Sequence, residues 1–199
     1  ETKIIDSIIR NNEAGEGGGI QFNGSNLLFY GSILTNNGQD DGVWVGGGIQ
    51  SEGGSSIFIN SIIHANHGTE LGSGIYLESG AESILINSIV SDNNIYCTDT
   101  KYEGGGGDPS TIDISYSIIE NGLVNVDNGS EVDWGAGLIE ADPLFTDAAN
   151  GDYTLQTGSP AIDAGNPNGF YNDTDGSQND MGYMGGNGLV VTPLTLDFG

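Results

Sequence analysis

The amino-acid sequence predicts an all-β fold in which about five to seven similar coils stack into a solenoid. The first observation is a repeat whose five copies each begin with serine and isoleucine, at steps of 25, 29, 27 and 29 residues. The second is a glycine-rich triplet followed by isoleucine in each of the first three repeats. The third is that glycine supplies 35 of 199 residues, while no segment keeps the 3.6-residue hydrophobic period of a helix.

The first element of each repeat is a short apolar segment that starts at the serine. Such a segment, bounded by Gly, Asn and Ser, is typical of a β-strand between turns. Its five copies are Ser7-Ile8-Ile9, Ser32-Ile33-Leu34, Ser61-Ile62-Ile63, Ser88-Ile89-Val90 and Ser117-Ile118-Ile119. Five positions after the serine stand Asn12, Asn37, Asn66 and Asn93, with Gly122 in the fifth copy.

Two further strands are expected in each repeat. The glycine-rich triplets stand at 17–19, 46–48 and 72–74, each directly before an isoleucine. Before the next serine, apolar residues recur with a period of two, at Leu28 and Tyr30, Ile57 and Ile59, Ile84 and Ile86. A unit of three short strands cannot bury its own apolar face, but stacked units can. The sequence therefore predicts a parallel β-helix.

Stacking places equivalent residues of successive coils in columns about 4.8 Å apart. We expect the isoleucines that follow the serines to form one inward-facing column, Ile8, Ile33, Ile62, Ile89 and Ile118. We expect the asparagines to stack at one corner, hydrogen-bonded side chain to side chain and tolerant of left-handed backbone angles. A leucine-rich repeat, the main alternative, needs several leucines at fixed positions, whereas the leucines here are scattered.

These motifs resemble those of secreted bacterial right-handed parallel β-helix proteins of the pectate-lyase-like superfamily. The resemblance covers residues 4–122 and rests on the I-x-N-S-I-I-x-x-N and G-G-G-I elements. It implies a right-handed β-helix domain over 1–188 and an extracellular or cell-surface location. Because this superfamily contains enzymes, adhesins and modules of unknown role, the resemblance implies a fold and leaves the function open.

Residues 140–188 are expected to close the solenoid irregularly. They look like the closing segment of many such bacterial proteins, through Asp142-Pro143-Leu144-Phe145, Gly151-Asp152-Tyr153-Thr154-Leu155-Gln156, the stretch 158–165, Asp175-Gly176-Ser177 and Asn179-Asp180-Met181-Gly182. Residues 189–199 alternate like a strand and are similar to the start of immunoglobulin-like domains. We therefore expect them to be a linker or the first strand of a following β-domain, with neighbouring domains of the same polypeptide as partners.

The charge balance excludes several classes of partner. Asp and Glu number 28 against three Lys and Arg, which gives a net charge of −25. Because this charge repels phosphates and anionic lipids, we expect no nucleic-acid binding and no direct membrane insertion. The single cysteine, Cys97, is expected to be a small buried hydrophobe rather than a nucleophile.

The loops between each corner asparagine and the next glycine triplet vary in length and emerge on one side. Variable loops on a rigid scaffold are common binding surfaces, so one interpretation is an acidic ridge that holds cations or a basic ligand. The alternative is a solvated loop face without a ligand. The residues concerned are Glu13, Glu16, Asp40, Asp41, Trp44, His67, Glu70, Asp99, Tyr102 and Glu103.

A candidate cation site lies at residues 172–180, where acidic and amide side chains surround a glycine. Ca²⁺ prefers several oxygen ligands, and a turn at glycine lets close carboxylates converge. We expect a Ca²⁺ site here with the ligands Asp173, Asp175, Asn179 and Asp180. It is not an EF-hand, because Tyr171 occupies the first ligand position and no glutamate closes the loop. The alternative is an Asx-rich turn whose side chains cap backbone amides.

No catalytic residue is assigned from the sequence. The resemblance implies that a polysaccharide lyase would need a Lys or Arg base, and Lys101, near Asp99 and Glu103, is the one cation among loop carboxylates. A glycoside hydrolase needs two opposed carboxylates, which so many acids can supply by chance. His64 and His67 form H-x-x-H without a visible third ligand and are expected to be solvated.

The sequence therefore favours an extracellular structural or adhesive module of a larger bacterial surface or secreted protein. It would present loops to a glycan or a cell-surface protein and be stabilised by Ca²⁺. The alternative is a carbohydrate-active enzyme, a polysaccharide lyase or a glycoside hydrolase. A groove with a base beside clustered acids would favour the enzyme, and a smooth acidic face would favour the module.

Overall fold

The computed structural model describes residues 1–38, 45–68, 71–99, 106–122 and 124–186. In these residues the chain forms 18 β-strands and two short 3-10 helices, Glu120–Gly122 and Ala148–Asn150. Sixteen of these strands pair in parallel within three sheets, of six, five and five strands. No helix in this part of the chain is long and apolar enough to cross a membrane.

The three sheets take their strands in turn, so that each coil contributes one strand to each sheet. Sheet 1 contains β1 (Thr2–Ile5), β4 (Asn26–Tyr30), β7 (Ser55–Ile59), β10 (Glu82–Ile86), β13 (Thr111–Ser115) and β16 (Glu131–Trp134). Sheet 2 contains β2 (Ile8–Arg10), β5 (Ile33–Thr35), β8 (Ile62–His64), β11 (Ile89–Ser91) and β14 (Ile118–Ile119). Sheet 3 contains β3 (Ile20–Asn23), β6 (Ile49–Glu52), β9 (Ile75–Glu78), β12 (Ile95–Cys97) and β15 (Val124–Val126).

Equivalent residues of successive coils pair in register, which confirms the predicted all-β parallel β-helix. Ile8, Ile33, Ile62, Ile89 and Ile118 are direct partners along sheet 2. Five strands in sheet 2 are separated by four coil-to-coil steps. The solenoid therefore makes about four turns, slightly fewer than the five to seven coils expected.

The main apolar core lies inside the solenoid, and its column in sheet 2 is the second aliphatic residue after each serine. These residues are Ile9, Leu34, Ile63, Val90 and Ile119. The prediction that the first isoleucine of each segment faces inward is therefore wrong. Successive side chains of a strand point to opposite faces, so both aliphatic residues cannot face the interior.

The first isoleucines form a separate apolar cluster on the outer face of sheet 2. Ile33, Ile62, Ile89 and Ile118 are buried there against Tyr153, Ala161 and Met181 of the C-terminal segment. In the first coil, by contrast, Ile8 is 59 % exposed. Strands that are covered on both faces read as continuous apolar runs, which explains why two aliphatic residues follow each serine.

The closing segment is described over 140–186 and lies along the outer face of sheet 2. It contains an antiparallel hairpin of β17 (Phe145–Asp147) and β18 (Asp152–Leu155). The Tyr153 hydroxyl lies 2.8 Å from the Thr35 hydroxyl of β5, and Gly182 N donates to Asn87 O at 2.8 Å. The predicted linker or strand at 189–199 lies outside the described residues.

The corner between sheets 2 and 3 carries the predicted asparagine ladder, which is confirmed. Asn12 Nδ2 donates to Asn37 Oδ1 at 2.9 Å, Asn37 Nδ2 to Asn66 Oδ1 at 3.0 Å, and Asn66 Nδ2 to Asn93 Oδ1 at 3.0 Å. The left-handed backbone angles expected of these asparagines occur one position earlier. There, φ lies between 48° and 62° at Asn11, Asn36, Ala65, Asp92 and Asn121.

The repeated serines form a second ladder at the corner between sheets 1 and 2. Ser32 Oγ accepts a hydrogen bond from Ser7 N at 3.0 Å and donates to Tyr30 O at 2.7 Å. Ser88 Oγ likewise accepts from Ser61 N at 3.1 Å. Each hydroxyl satisfies backbone groups that a turn leaves without strand partners, which is why serine recurs at this corner.

The glycine triplets turn the chain into sheet 3. Gly17, Gly46 and Gly72 have φ of 54°, 61° and 61°, a region that glycine adopts without steric cost. A Cβ atom on the next glycine, Gly47, would clash with the carbonyl oxygen of His67. The neighbouring coil therefore leaves no room for a side chain at Gly47.

Candidate functional site

The outer face of sheet 3 carries polar and aromatic side chains in register. The residue after each triplet isoleucine lies on this face, and the same column continues into the later coils. On β3, β6 and β9, the residue two positions after the column residue also lies on this face; these residues are Asn23, Glu52 and Glu78. The column itself consists of Gln21, Gln50, Tyr76, Tyr96 and Asn125.

Side-chain amides connect neighbouring coils to carboxylates on this face. Gln21 Nε2 donates to Gln50 Oε1 at 3.0 Å, and Gln50 Nε2 donates to Glu78 Oε1 at 2.9 Å. Asn23 Nδ2 donates to Glu52 Oε2 at 2.6 Å. The carboxylate-bearing residues Glu52 and Glu78 therefore stand at paired positions of adjacent strands.

Two tyrosines continue the column beyond the amides. The rings of Tyr76 and Tyr96 stack with centroids 5.8 Å apart and an interplanar angle of 23°. The Tyr96 hydroxyl donates to Asp127 Oδ2 at 2.6 Å, and this bond, with burial, raises the pKa of Tyr96 to about 12. Burial, reinforced by the Glu78 carboxylate, also raises the pKa of Tyr76. Both phenols are protonated at neutral pH and act as hydrogen-bond donors.

Access to this face differs along its length. Gln50 and Glu78 are each 3 % exposed and Tyr76 is 1 % exposed. Gln21 is exposed in the first coil, and Tyr96 is half-buried in the fourth. A ligand can therefore reach amide groups at one end and an aromatic ring towards the other.

The sequence prediction missed this face because it placed binding in the variable loops. The available signal was the residue directly after each triplet isoleucine, which is Gln21, Gln50 or Tyr76. A large polar or amphipathic residue that follows a buried isoleucine in a strand indicates the outer face. Three such residues at one repeat position indicate a column.

The predicted acidic loop ridge lies only partly within the described residues. Glu16 accepts a hydrogen bond from Gln21 Nε2 at 3.1 Å, so its carboxylate borders the outer face of sheet 3. Glu13 and His67 are exposed, and Asp99 is half-buried. The ridge stays a prediction, because its other members, Asp40, Asp41, Trp44, Glu70, Tyr102 and Glu103, lie outside the described residues.

The predicted Ca²⁺ ligands lie in the closing segment, where two of the aspartates bind backbone amides. Asp175 Oδ1 accepts from Ser177 Oγ at 2.6 Å and Ser177 N at 2.9 Å, and these bonds lower the pKa of Asp175. Asp173 Oδ1 accepts from Gly186 N at 2.6 Å, and its Oδ2 accepts from Asp180 N at 3.1 Å. Asp173 and Asp180 are therefore adjacent, while Asp175 is engaged with its own turn.

The other two predicted ligands are also engaged by the closing segment. Asp180 Oδ1 accepts a hydrogen bond from Asp163 N at 2.7 Å. Burial raises the pKa of Asp180, and the nearby Asp173 carboxylate raises it further, whereas the hydrogen bond from Asp163 N lowers it. Asn179 is fully buried, and its Nδ2 donates to Tyr171 O at 2.8 Å. The part of the chain that the structure describes contains no group of three or more His, Cys, Asp or Glu side chains placed to hold a metal ion. These contacts match the Asx-rich turn, and Ca²⁺ binding here stays a prediction.

The two histidines of the H-x-x-H pattern lie in different surroundings. His67 is exposed, as expected. The side chain of His64 is only 12 % exposed and packs edge-on against the rings of Phe145 and Tyr153 of the closing hairpin. The expectation of a solvated histidine is therefore wrong for His64, because the hairpin covers it.

His64 also has two polar neighbours from the next coil. Its Nδ1 lies 2.9 Å from Ser91 Oγ and 3.8 Å from Asp92 Oδ2. In a catalytic triad the serine and the carboxylate approach opposite ring nitrogens, whereas here both approach the same one. Burial lowers the pKa of His64, so this histidine is a neutral packing residue near pH 7.

Two of the remaining reactive candidates, Cys97 and Asp99, lie within the described residues. Cys97 is buried in the solenoid core, and burial raises the pKa of its thiol to about 12, which confirms the expected small hydrophobe. Of the residues considered for a lyase, Asp99 is described, whereas Lys101 and Glu103 lie outside the described residues.

Comparison with known proteins gives one match. The model of a family described as right handed beta helix region matches residues 1–174. This range includes all three sheets and most of the closing segment. Comparisons with curated proteins and with solved structures found no match.

Proposed function

The chain belongs to the right-handed β-helix family, and on this basis we propose that it is an extracellular structural and adhesive module of a larger bacterial surface or secreted protein. Its proposed partner is a cell-surface glycan, bound by the outer face of sheet 3. The observation that carries the proposal is one column of residues in which Gln21 is exposed and Tyr96, stacked on the buried Tyr76, is half-buried.

The rigidity of the solenoid supports a role in presentation. The asparagine and serine ladders join each corner to the next coil through side-chain hydrogen bonds. Side chains on strands paired in register keep fixed spacings, so little conformational entropy is lost when they engage a ligand. A repetitive ligand such as a polysaccharide suits a repetitive surface.

The chemistry of the sheet 3 face supports a glycan rather than a protein or nucleic acid. A tyrosine ring offers apolar area to the C–H face of a sugar and a hydroxyl to its polar groups. Side-chain amides such as Gln21 both donate and accept, and carboxylates such as Glu52 accept from sugar hydroxyls. The net charge of −25 favours neutral or cationic glycans over polyuronates.

Ca²⁺ enters the proposal as a stabiliser of the closing segment. The mutual repulsion of Asp173, Asp175 and Asp180 contributes to the raised pKa of Asp180, and a bound cation would relieve that repulsion. The residues proposed to hold the ion are these three aspartates and Asn179.

Affinity electrophoresis in gels that contain neutral or amino-sugar polysaccharides tests the glycan proposal. Tyr96→Ala is expected to abolish the retardation of the protein, and Gln21→Ala is expected to reduce it. Phe170→Ala is the matched control, because Phe170 is a 66 % exposed aromatic residue in the closing segment. An equal loss in the control, or no retardation of the unaltered protein in any of these gels, would contradict the proposal.

One observation favours the alternative, a carbohydrate-active enzyme. Glu52 and Glu78 are paired on adjacent strands, which are about 4.8 Å apart in a sheet. Retaining glycoside hydrolases use a pair of neighbouring carboxylates, and the register makes these two residues neighbours, with Glu78 3 % exposed. Release of reducing ends from a bound polysaccharide, lost in Glu78→Gln but kept in the exposed control Glu131→Gln, would favour the enzyme over the adhesive module.

A further inference from the structure

The outer face of sheet 1 carries an apolar stripe along the solenoid. Leu28, Ile57 and Ile84 are direct register partners on β4, β7 and β10. Ile84 is 37 % exposed and Leu28 is half-buried, while Ile57, between them, is 5 % exposed yet belongs to neither apolar cluster of the chain. A second column beside the stripe, Tyr30, Ile59 and Ile86, is also apolar.

Sheets 1 and 2 therefore differ in how their outer apolar residues are covered. On sheet 2 the closing segment packs against the isoleucine column and buries Ile62 and Ile89 to 1 % and 0 % exposure. On sheet 1 the equivalent column keeps Ile84 partly in solvent. The accessible apolar surface of the stripe is therefore Ile84 together with the half-buried Leu28.

The column that contains the stripe is charged at both ends, with opposite signs. Lys3 precedes Leu28 in the register, and Asp113 follows Ile84, with Asp133 one coil further. Lys3 is one of only two Lys or Arg residues in the described part of the chain, and its exposed Nζ lies 3.3 Å from Glu1 Oε2. Burial and the neighbouring carboxylates of Asp133 and Glu82 raise the pKa of Asp113, so a cation opposite Asp113 would be stabilising.

This order of charges is self-complementary. Lys3 lies two coils before Ile57 and Asp113 lies two coils after it. A two-fold axis along β7 would place Lys3 opposite Asp113 of a second copy, Leu28 opposite Ile84, and Ile57 opposite itself.

We propose that the outer face of sheet 1 is the interface of a two-fold symmetric homodimer, with the solenoids antiparallel. The occupant of the stripe is a second copy of this chain, because its charges complement the stripe only in the reversed direction. A parallel alignment would set Asp113 against Asp113 in a molecule that already carries a net charge of −25. Face-to-face packing of two sheets, about 10 Å apart, buries side chains from both.

Sedimentation equilibrium of the full chain tests the interface. The unaltered protein is expected to show twice its monomer mass of 20.6 kDa at high concentration, and Ile84→Glu is expected to reduce this to the monomer mass. Ile8→Glu is the matched control, because Ile8 is an exposed isoleucine on the outer face of sheet 2. A monomer at every concentration of the unaltered protein, or equal dissociation in the control, would overturn the proposal.

A charge exchange tests the antiparallel geometry. Lys3→Glu and Asp113→Lys are each expected to raise the dimer dissociation constant about tenfold, and the double variant is expected to restore it. Asp108→Lys is the control for net charge, because Asp108 is exposed and lies outside the stripe. A double variant no tighter than the single variants would exclude the two-fold arrangement, while circular dichroism shows whether each variant is folded.

Discussion

Side chains at the corners of the solenoid replace hydrogen-bond partners that the turning backbone cannot supply. Asn66 shows how much one residue can do, since it is 3 % exposed and bonds to two other coils. Its Oδ1 accepts from both the backbone and the side chain of Asn37, and its Nδ2 donates to Leu34 O at 3.0 Å. Removal of this amide would leave several buried groups without partners.

Asn66→Ala is therefore expected to lower the free energy of unfolding by about 2 to 4 kcal/mol, because each buried group left unpaired costs about 1 to 3 kcal/mol. Asn12→Ala is the control, since Asn12 ends the ladder and is exposed, and it should cost less than about 1 kcal/mol. Urea unfolding followed by circular dichroism measures both. Equal losses would show that burial of the ladder is not what stabilises the corner.

Among the elements, sheet 2 is distinctive because different apolar clusters cover its two faces. Val90 lies in the solenoid core, and its neighbour Ile89 lies under the closing segment. Both are 0 % exposed, so exposure alone does not separate them. A charge introduced at Val90 should therefore disrupt a different part of the structure from a charge introduced at Ile89.

Val90→Asp is expected to unfold the solenoid, whereas Ile89→Asp is expected to release the closing segment and leave the β-structure in place. In both variants the native packing would bury an unpaired carboxylate, and its desolvation costs several kcal/mol. The structure therefore opens so that the carboxylate reaches water. At position 89 the closing segment can move away, but at position 90 the coils cannot separate locally. Circular dichroism, combined with limited proteolysis of residues 140–186, distinguishes the outcomes. Loss of all β-structure in both variants would contradict the two-cluster organisation.

The sequence was sufficient to predict the stacking of coils but not which face of sheet 2 points inward. Serines at regular intervals and the asparagines that follow them predicted the register, because corner residues must match along a column. Ile33 and Leu34 are both apolar, so the alternation that normally reveals the inner face is missing. The covering closing segment is a long-range feature, and its contact with Ile33 cannot be inferred from local pattern.

The same limit applies to the candidate sites. The sequence left both a cation site and an Asx-rich turn open at Asp173 and Asp175. The bond from Ser177 N to Asp175 is local and matches the turn, whereas the bond from Gly186 N to Asp173 depends on how the segment packs. The stack of Tyr76 and Tyr96 was missed for a different reason. Tyr96 stands outside the Gly-Gly-Gly-Ile pattern, so only the strand register brings it beside Tyr76.

Ca²⁺ is expected to raise the thermal unfolding midpoint more than Mg²⁺ at matched ionic strength, because an ion bound only to the folded state stabilises it by mass action. Asp173→Asn is expected to remove the calcium-specific gain, since Asp173 lies beside Asp180. Asp108→Asn is the control, an exposed carboxylate outside the closing segment. An unchanged gain in Asp173→Asn would place any calcium site elsewhere.

Over the whole molecule, the large negative charge makes stability depend on pH. The pKa values of Asp113, Glu120 and Asp180 are raised, in each case first by burial. Because their folded-state pKa values are raised, the stability that these three groups contribute is fully present below the ordinary carboxyl pKa of about 4. This contribution is lost as the pH rises through the folded-state pKa. Hydrogen bonds lower the pKa values of Asp152 and Asp175. Their contribution to stability is therefore present above the ordinary carboxyl pKa and is lost only as the pH falls through the lower folded-state values.

His64 has the opposite dependence. Because burial lowers its pKa, its contribution is present above the unfolded value of about 6.5 and is lost as the pH falls through the folded value. Protonation would put a cation between Phe145 and Tyr153 of the closing hairpin. Acidification from neutral pH therefore stabilises the chain through its carboxyl groups and destabilises it through His64.

The variant His64→Gln separates the two effects, because glutamine does not titrate. Its urea midpoint is expected to rise as the pH falls from neutral towards the ordinary carboxyl pKa of about 4, as the carboxyl groups with raised pKa values take up protons. The unaltered protein is expected to be the more stable of the two above about pH 6.5 and to lose that advantage below it. His67→Gln is the control, because His67 is exposed, and it should follow the unaltered protein throughout. A constant difference between His64→Gln and the unaltered protein over this range would show that His64 has the same pKa in the folded and unfolded chain.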